Sequence, residues 1–256
     1  MPYGKRSLRG SRGAVILTAA LALLPALSGC ADDRTAPKDA RAEAPVDAGG
    51  RFGSVDCRLA KCIALTFDAD PGEDTPHLLD TLKKENVPAT FFLLGKNHVK
   101  KYPKVVKRIA DEGHEVANHT WTHSILTDLS GDEIRDELER TQGAIAELTG
   151  RRSTLMRPPQ GRTDDKVTTT KELGLSQVLW SVTAKDYKTN DSKLIEQRDL
   201  DQATPDGIIL LHDIYKGTVP AMPGIIDKLK AREYTFVTVP QLLAPAAPEP
   251  GPVYKP

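Results

Sequence analysis

An α/β fold, in which parallel strands curl into an incomplete barrel with helices outside, is what this 256-residue sequence predicts. Three observations carry the prediction. Short apolar runs alternate with longer amphipathic stretches, the pattern of strand and crossover helix. The runs number about seven, which suits an incomplete barrel better than an open doubly wound sheet, the alternative arrangement. Polar residues capable of chemistry follow the runs in one phase, as they do where the C-terminal strand ends of a parallel barrel share a face.

In chain order, Lys5, Arg6, Arg9 and Arg12 come first, without any acid among them. They precede an apolar run over 14–27. That run is shorter than the roughly 20 residues of a spanning helix and is interrupted by Pro25, so residues 1–29 read as a secretory signal. It closes on Leu27-Ser28-Gly29-Cys30, which looks like a bacterial lipobox. The expectation is a lipoprotein held on the outer face of the bacterial cell membrane through a lipidated Cys30, with a plain secretory signal as the alternative. Residues 30–55 lack apolar periodicity and are rich in Ala, Pro, Asp and Gly, so they are expected to be a flexible tether. Residues 244–256 hold five prolines and are expected to be extended or disordered. The folded domain is then 56–243.

Within it the expected strands are 63–67, 89–94, 115–117, 154–156, 177–180, 207–211 and 235–237, each bounded by turn residues or charge. Thr75 with Pro76 opens one helix, Asp111-Glu112-Gly113 ends another, and Ser130 with Glu133 forms a capping box before a stretch that stops at Gly150. Gly174 ends a fourth. No G-x-G-x-x-G or P-loop pattern follows the first strand, which leaves the nucleotide-binding versions of the fold with nothing in their favour.

Charge excludes other functions. Lys+Arg and Asp+Glu stand at 35 each, so there is no basic excess for nucleic acid. Beyond residue 29 the balance is 31 basic against 35 acidic residues. With Cys30 assigned to lipid, Cys57 and Cys62 remain in a chain bound for an oxidising compartment, and a disulfide between them is expected in preference to a zinc pair, whose further ligands and spacing are missing.

The polar residues placed at strand ends are Asp68, His119 and His123, Arg157, Asp186, and His212 with Asp213. Thr66-Phe67-Asp68, His119-Thr-Trp-Thr-His123, Arg157-Pro-Pro-Gln-Gly161, Trp180-Ser-Val182 with Asp186, and Ile209-Leu-Leu-His212 occur in this order over about 180 residues. Together they resemble the polysaccharide deacetylases of the NodB-homology type, carbohydrate esterase family 4. The resemblance implies a distorted (β/α)7 barrel, a divalent metal, and hydrolysis of acetyl groups on a sugar polymer.

Two histidines four apart can face one way on a helical turn, and neutral imidazoles bind zinc, cobalt or nickel, so His119 and His123 are the expected metal pair. By the resemblance Asp68 is the base and Arg157 the residue that holds it. His212 suits the acid that protonates the leaving amine, with Asp186 on its other nitrogen. The Gln160 backbone amide is placed to help with the oxyanion, and Trp180 and Leu210 as an apolar wall for the acetyl methyl. The family's first motif usually carries a second aspartate as third metal ligand. Here that position is Ala69, and either Asp70 supplies the oxygen or the two histidines bind alone with water. Gln160 and Tyr187 stand where the family generally has tyrosine and tryptophan, so substrate contacts are expected to differ.

The reading is a monomeric metal-dependent deacetylase acting on an acetylated glycan polymer, foremost peptidoglycan, with chitooligosaccharide or acetylxylan (an O-acetyl ester) as other substrates. The reading from another class is a carbohydrate-binding protein that kept the barrel and lost turnover, motivated by Ala69.

Overall fold

The computed structural model describes residues 1–4, 34–44 and 55–256. Residues 5–29 of the expected signal segment and the lipobox with Cys30 lie outside the described residues, as do 30–33 and 45–54 of the expected tether.

Among the described residues ten strands form one sheet in which every pairing is parallel. They are β1 (Arg34–Thr35), β2 (Lys61–Asp70), β3 (Thr90–Leu93), β4 (Glu115–Asn118), β5 (Leu155–Met156), β6 (Ser176–Val178), β7 (Val182–Thr183), β8 (Gly207–Leu211), β9 (Tyr234–Val237) and β10 (Val253–Tyr254). The order is β1-β10-β6-β5-β4-β3-β2-β8-β7, with β9 also paired to β2. All seven expected strands are present. The sheet curls into an incomplete barrel, and the stretch 176–183 bends so that β6 pairs with β5 while β7 pairs with β8. One chain segment therefore joins the two flanks of the sheet.

The helices are α1 (Pro37–Glu43), α2 (Thr75–Glu85), α3 (Pro103–Asp111), α4 (Gly131–Thr149), α5 (Ser192–Gln202), α6 (Thr218–Ala231) and α7 (Val239–Leu243). The capping box of α4 is formed as expected, with the Ser130 hydroxyl accepting from the Glu133 amide and the Glu133 carboxylate accepting from the Ser130 amide at 2.8 Å. Gly150 ends the helix with a φ of 76°, a conformation that costs glycine least. Ile134, Leu138 and Ile145 of α4 are buried. A larger core of Ile63, Leu65, Phe67, Phe91 and Leu93 with Leu78, Leu79, Ile225 and Ile226 fixes β2 and β3 against α2 and α6. Each such side chain contributes about 1.5–3 kcal/mol by leaving water. That burial holds the strand ends, and whatever stands on them, in place.

Three expectations are corrected. The segment ending at Gly174 winds as 3-10 turns over Asp165–Leu173 and not as an α-helix, consistent with its β-branched run Val167-Thr168-Thr169-Thr170. The tether is ordered over 34–44: Arg41 of α1 is buried, donating to the Leu242 carbonyl and pairing with Asp206, both at 2.7 Å. The C-terminal stretch is ordered as well. Val253 and Tyr254 insert between β6 and β1, the Pro252 and Tyr254 carbonyls accept from Gln177 and Leu179 at 2.9 Å, and Tyr254 is buried. Proline lacks a donor but keeps its acceptor, and two apolar residues suffice to seat a strand whose neighbours exist already.

Cys57 and Cys62 are joined by a disulfide at the entrance of β2.

Candidate active site

At the C-terminal end of β2 stands Asp68, almost wholly buried, and across the barrel mouth Arg157 follows β5 with no exposed surface. An arginine so buried has to spend every donor on a partner. Its Nη1 donates to Asp68 Oδ1 at 2.6 Å and to Thr66 Oγ1 at 2.8 Å, while Nε donates to the Val178 carbonyl at 2.9 Å. The guanidinium also lies over Phe92, 4.1 Å from the ring centroid, and over Trp180 at 5.6 Å. Burial pulls the Arg157 pKa down, opposed by the Asp68 charge, and Asp68 is fixed in direction. Thr66 in turn donates to the Ile209 carbonyl at 2.6 Å, tying this ion pair to β8.

His119 and His123 follow β4. They are not on a helical turn: Thr120 and His123 take left-handed φ values of 71° and 66°, which carry strain in residues other than glycine. The loop is held by hydrogen bonds. Asn118 Oδ1 accepts from the Thr120 amide at 2.8 Å, and the Thr120 hydroxyl accepts from the His123 amide at 3.1 Å. Buried Glu137 of α4 accepts the Trp121 and Thr122 amides at 3.0 and 2.8 Å and the Thr122 hydroxyl at 2.7 Å. The two imidazoles meet edge to face with centroids 4.9 Å apart.

Their chemistry suits a cation. His119 Nδ1 lies 2.8 Å from the Arg157 carbonyl, which can only accept, so Nδ1 carries the hydrogen and Nε2 keeps its lone pair. Burial pushes the His119 pKa down to about 4, and partial desolvation lowers that of His123, so both rings are neutral. Asp68 Oδ2 stands 3.8 Å from His119 Nε2. Asp70 is not brought to this pair. Ala69 has a φ of 62° at a β-bulge between β2 and β3, and beyond it Asp70 is buried facing Asp213. Its pKa is raised well above the carboxylate range by burial and then by the Asp213 charge. Among the described residues no group of three or more His, Cys, Asp or Glu side chains forms a ready metal site. The donor set that fits a metal is the two histidines.

His212 follows β8. Its Nδ1 lies 2.9 Å from Asp186 Oδ1, and its backbone amide donates to Asp186 Oδ2 at 2.6 Å. Asp186 also accepts from the Thr218 hydroxyl at 2.9 Å and the Tyr187 amide at 3.0 Å. Burial pulls the imidazole pKa down, yet the hydrogen bond and charge of Asp186, with Asp68 behind it, leave it above the ordinary value of 6.5. Tyr187 and Tyr215 flank the ring edge to face, at 6.0 and 5.4 Å, and both are well exposed. Leu210 is buried in β8. Gln160, exposed with a φ of 57°, and Trp180 border a smaller cavity of about 200 Å³ together with Gly161 and Leu179.

The structure thus gathers Asp68, Arg157, His119, His123, Asp186 and His212 at one barrel mouth and directs Asp70 elsewhere. Sequence reasoning missed Glu137, Thr218 and Tyr215, and gave Thr66 as part of a motif without its role. The mark of Glu137 was available, a carboxylate one position before Leu138 on the inward face of an amphipathic helix; that of Tyr215 was an aromatic three residues after His212.

The profile of the family described as polysaccharide deacetylase matches residues 56–178. The chain is 42% identical over 183 residues to the peptidoglycan-N-acetylglucosamine deacetylase PgdA of Listeria monocytogenes, covering 71% of this chain and 39% of that protein. It is 38% identical over 189 residues to the peptidoglycan-N-acetylmuramic acid deacetylase PdaA of Bacillus subtilis, covering 72% of each. It thus spans about two fifths of the Listeria relative's length and nearly three quarters of the Bacillus one. A solved structure described as T48 deacetylase with substrate superimposes with a TM-score of 0.74 at 42% identity, over 78% of this chain and all of that one.

Proposed function

The chain belongs to the polysaccharide deacetylase family, and from that premise we propose that it hydrolyses N-acetyl groups on a cell-envelope polysaccharide, foremost peptidoglycan. The observation that carries this reading is that two opposed proton-transfer groups share one mouth, each held by its own buried partner: Asp68 by Arg157, and His212 by Asp186.

The chemistry follows from those pairs. Hydrolysis of the amide needs a proton removed from water as it attacks the acetyl carbon, and a proton delivered to nitrogen as the carbon–nitrogen bond breaks. Asp68, aimed by Arg157, accepts the first. His212 is hydrogen-bonded to Asp186 through Nδ1, so Nε2–H gives the second, and a raised pKa keeps that proton on the ring near neutral pH. Acetate and a free amine result. Tyr187 and Tyr215 offer faces on which sugar rings stack. His119 and His123 would hold a divalent metal, zinc by preference with cobalt or nickel as substitutes. When bound, such an ion polarises the carbonyl and lowers the pKa of a coordinated water.

The same proposal includes the signal and lipobox at residues 1–30, which would place a monomeric enzyme on the outer face of the membrane through Cys30, beside the wall. The test is acetate release from purified peptidoglycan and from chitooligosaccharide, after chelation and after adding back zinc, cobalt or nickel. Release restored by metal supports the reading. Glycan binding without release under any ion favours a binding protein, and release from acetylxylan alone favours an esterase.

A further inference from the structure

Beside the barrel mouth runs a groove of about 740 Å³ that the chemistry above does not use. Its walls come from the segment after β2, from the turn after β3 and from the segment after His212. Gly72 lets the first and last of these meet, since a Cβ there would lie 2.7 Å from Ile214 Cγ2. His98 lines the groove, and its Nδ1 is 3.0 Å from the Pro71 carbonyl, which joins the groove wall to the segment following β2.

The groove is cationic in a chain that, past residue 29, has more acids than bases. Lys96, Lys100, Lys101 and Lys216 line it against Glu73 and Asp74. Lys101 faces Glu73 at 3.8 Å, and the Lys100 ammonium lies over the Trp121 ring. Lys96 and Lys216 are exposed and form no ion pair among the described residues. Tyr102 also lines the groove, half-buried, with the Lys101 ammonium 4.8 Å from its ring centroid. Unpaired ammonium groups on a concave wall raise the local concentration of anions.

We infer that this groove is a subsite for the acidic portion of the glycan, so that the substrate is a carboxylate-bearing strand, one whose sugars carry acidic ethers or acidic peptides, and not a neutral N-acetylglucosamine oligomer. The inference rests on the deacetylase reading and narrows it. A neutral chain has no group that gains from Lys96 and Lys216, whereas a strand threaded past His212 along this groove sets its carboxylates against both.

The test compares three substrates of equal length with the full chain: a peptidoglycan fragment with free carboxylates, the same fragment with its carboxylates amidated, and chitotetraose. Acetate release gives kcat and KM, and calorimetric titration gives Kd independently of turnover. A KM and Kd roughly threefold lower for the carboxylated fragment than for the amidated one are expected, with the difference shrinking as salt is raised, since exposed ion pairs contribute modestly and are screened. The double variant Lys96→Ala/Lys216→Ala brings that ratio toward one. Equal KM and Kd for both fragments, or a ratio the double variant leaves untouched, overturns the subsite while leaving the deacetylase reading intact. Absence of acetate release from all three overturns the deacetylase reading, and calorimetry still decides whether the groove prefers the carboxylated fragment.

Discussion

Asp186 grips His212 at two points, ring and backbone, with Oδ1 2.9 Å from Nδ1 and Oδ2 2.6 Å from the amide nitrogen. The two contacts fix the ring's orientation and its tautomer, and the charge raises its pKa above 6.5. A raised histidine pKa favours the protonated form in the folded state, so the benefit is complete below the unfolded value and is lost as pH rises through the folded one. As acid, His212 fails over that same upper interval. Asp186→Asn is therefore expected to move the alkaline limb of kcat to lower pH and to reduce kcat by about tenfold or more. A pH–rate profile checks this, and an unmoved limb would assign the limb to another group.

The ion pair of Arg157 with Asp68 is expected to tolerate no truncation. Arg157→Ala leaves Asp68 buried without its partner and is expected to cost about 3–5 kcal/mol of stability. Arg157→Lys keeps the charge but cannot serve Asp68, Thr66 and the Val178 carbonyl at once, so a smaller loss of stability with kcat reduced by roughly a hundredfold is expected. Urea unfolding and turnover measured on the same preparations separate the two effects.

Glu137 touches no substrate, yet it holds the left-handed loop that presents His119 and His123. Glu137→Ala leaves two amides without their acceptor, which is expected to destabilise the protein by about 1–3 kcal/mol and to weaken cobalt or zinc binding by roughly tenfold or more. Glu137→Gln retains one carbonyl oxygen and should recover part of the metal affinity. His119→Ala should abolish binding and His212→Ala should preserve it. Titration of the chelated protein with cobalt, followed by its visible absorption, distinguishes these variants.

Asp199 of α5 is buried with neither carboxylate oxygen paired, and burial, followed by the charge of Asp186, raises its pKa well above 3.8. The folded state here holds a proton that the unfolded chain releases, so stability falls as pH rises from the ordinary carboxylate range toward the raised value. Asp199→Asn is expected to raise Tm at pH 7 by a few degrees and to leave it nearly unchanged at pH 4. Calorimetric melts at the two values provide the check.

Much of the architecture was legible because it rests on periodic burial. The seven strands of the barrel follow from apolar runs between turn residues, and the capping box at Ser130 and the stop at Gly150 are local chemistry. The pairings of Asp68 with Arg157 and of Asp186 with His212 were legible only through motif order, since nothing local joins residues 89 and 26 positions apart. The path of Asp70 was hidden, because a bulge with Ala69 at positive φ overrides the simple alternation of a strand. Order at the two ends was hidden for another reason. Composition averages over a segment, whereas Arg41 and Tyr254 are themselves buried, each on a particular hydrogen-bond partner.

The C-terminal strand supplies the last prediction. Removing residues 245–256 uncovers β6 and takes from β1 its partner, so Tm is expected to fall by several degrees. Tyr254→Ala alone should cost roughly 3 kcal/mol, near the value for losing a buried aromatic. A disordered tail would leave both variants at the wild-type Tm.

Because β1 and β10 lie side by side, with Thr35 opposite Tyr254, the first and last strands among the described residues meet at one seam. Strands that meet in this way can be joined by a short linker without stretching either junction, so the sheet is expected to tolerate insertion into a host polypeptide along this seam.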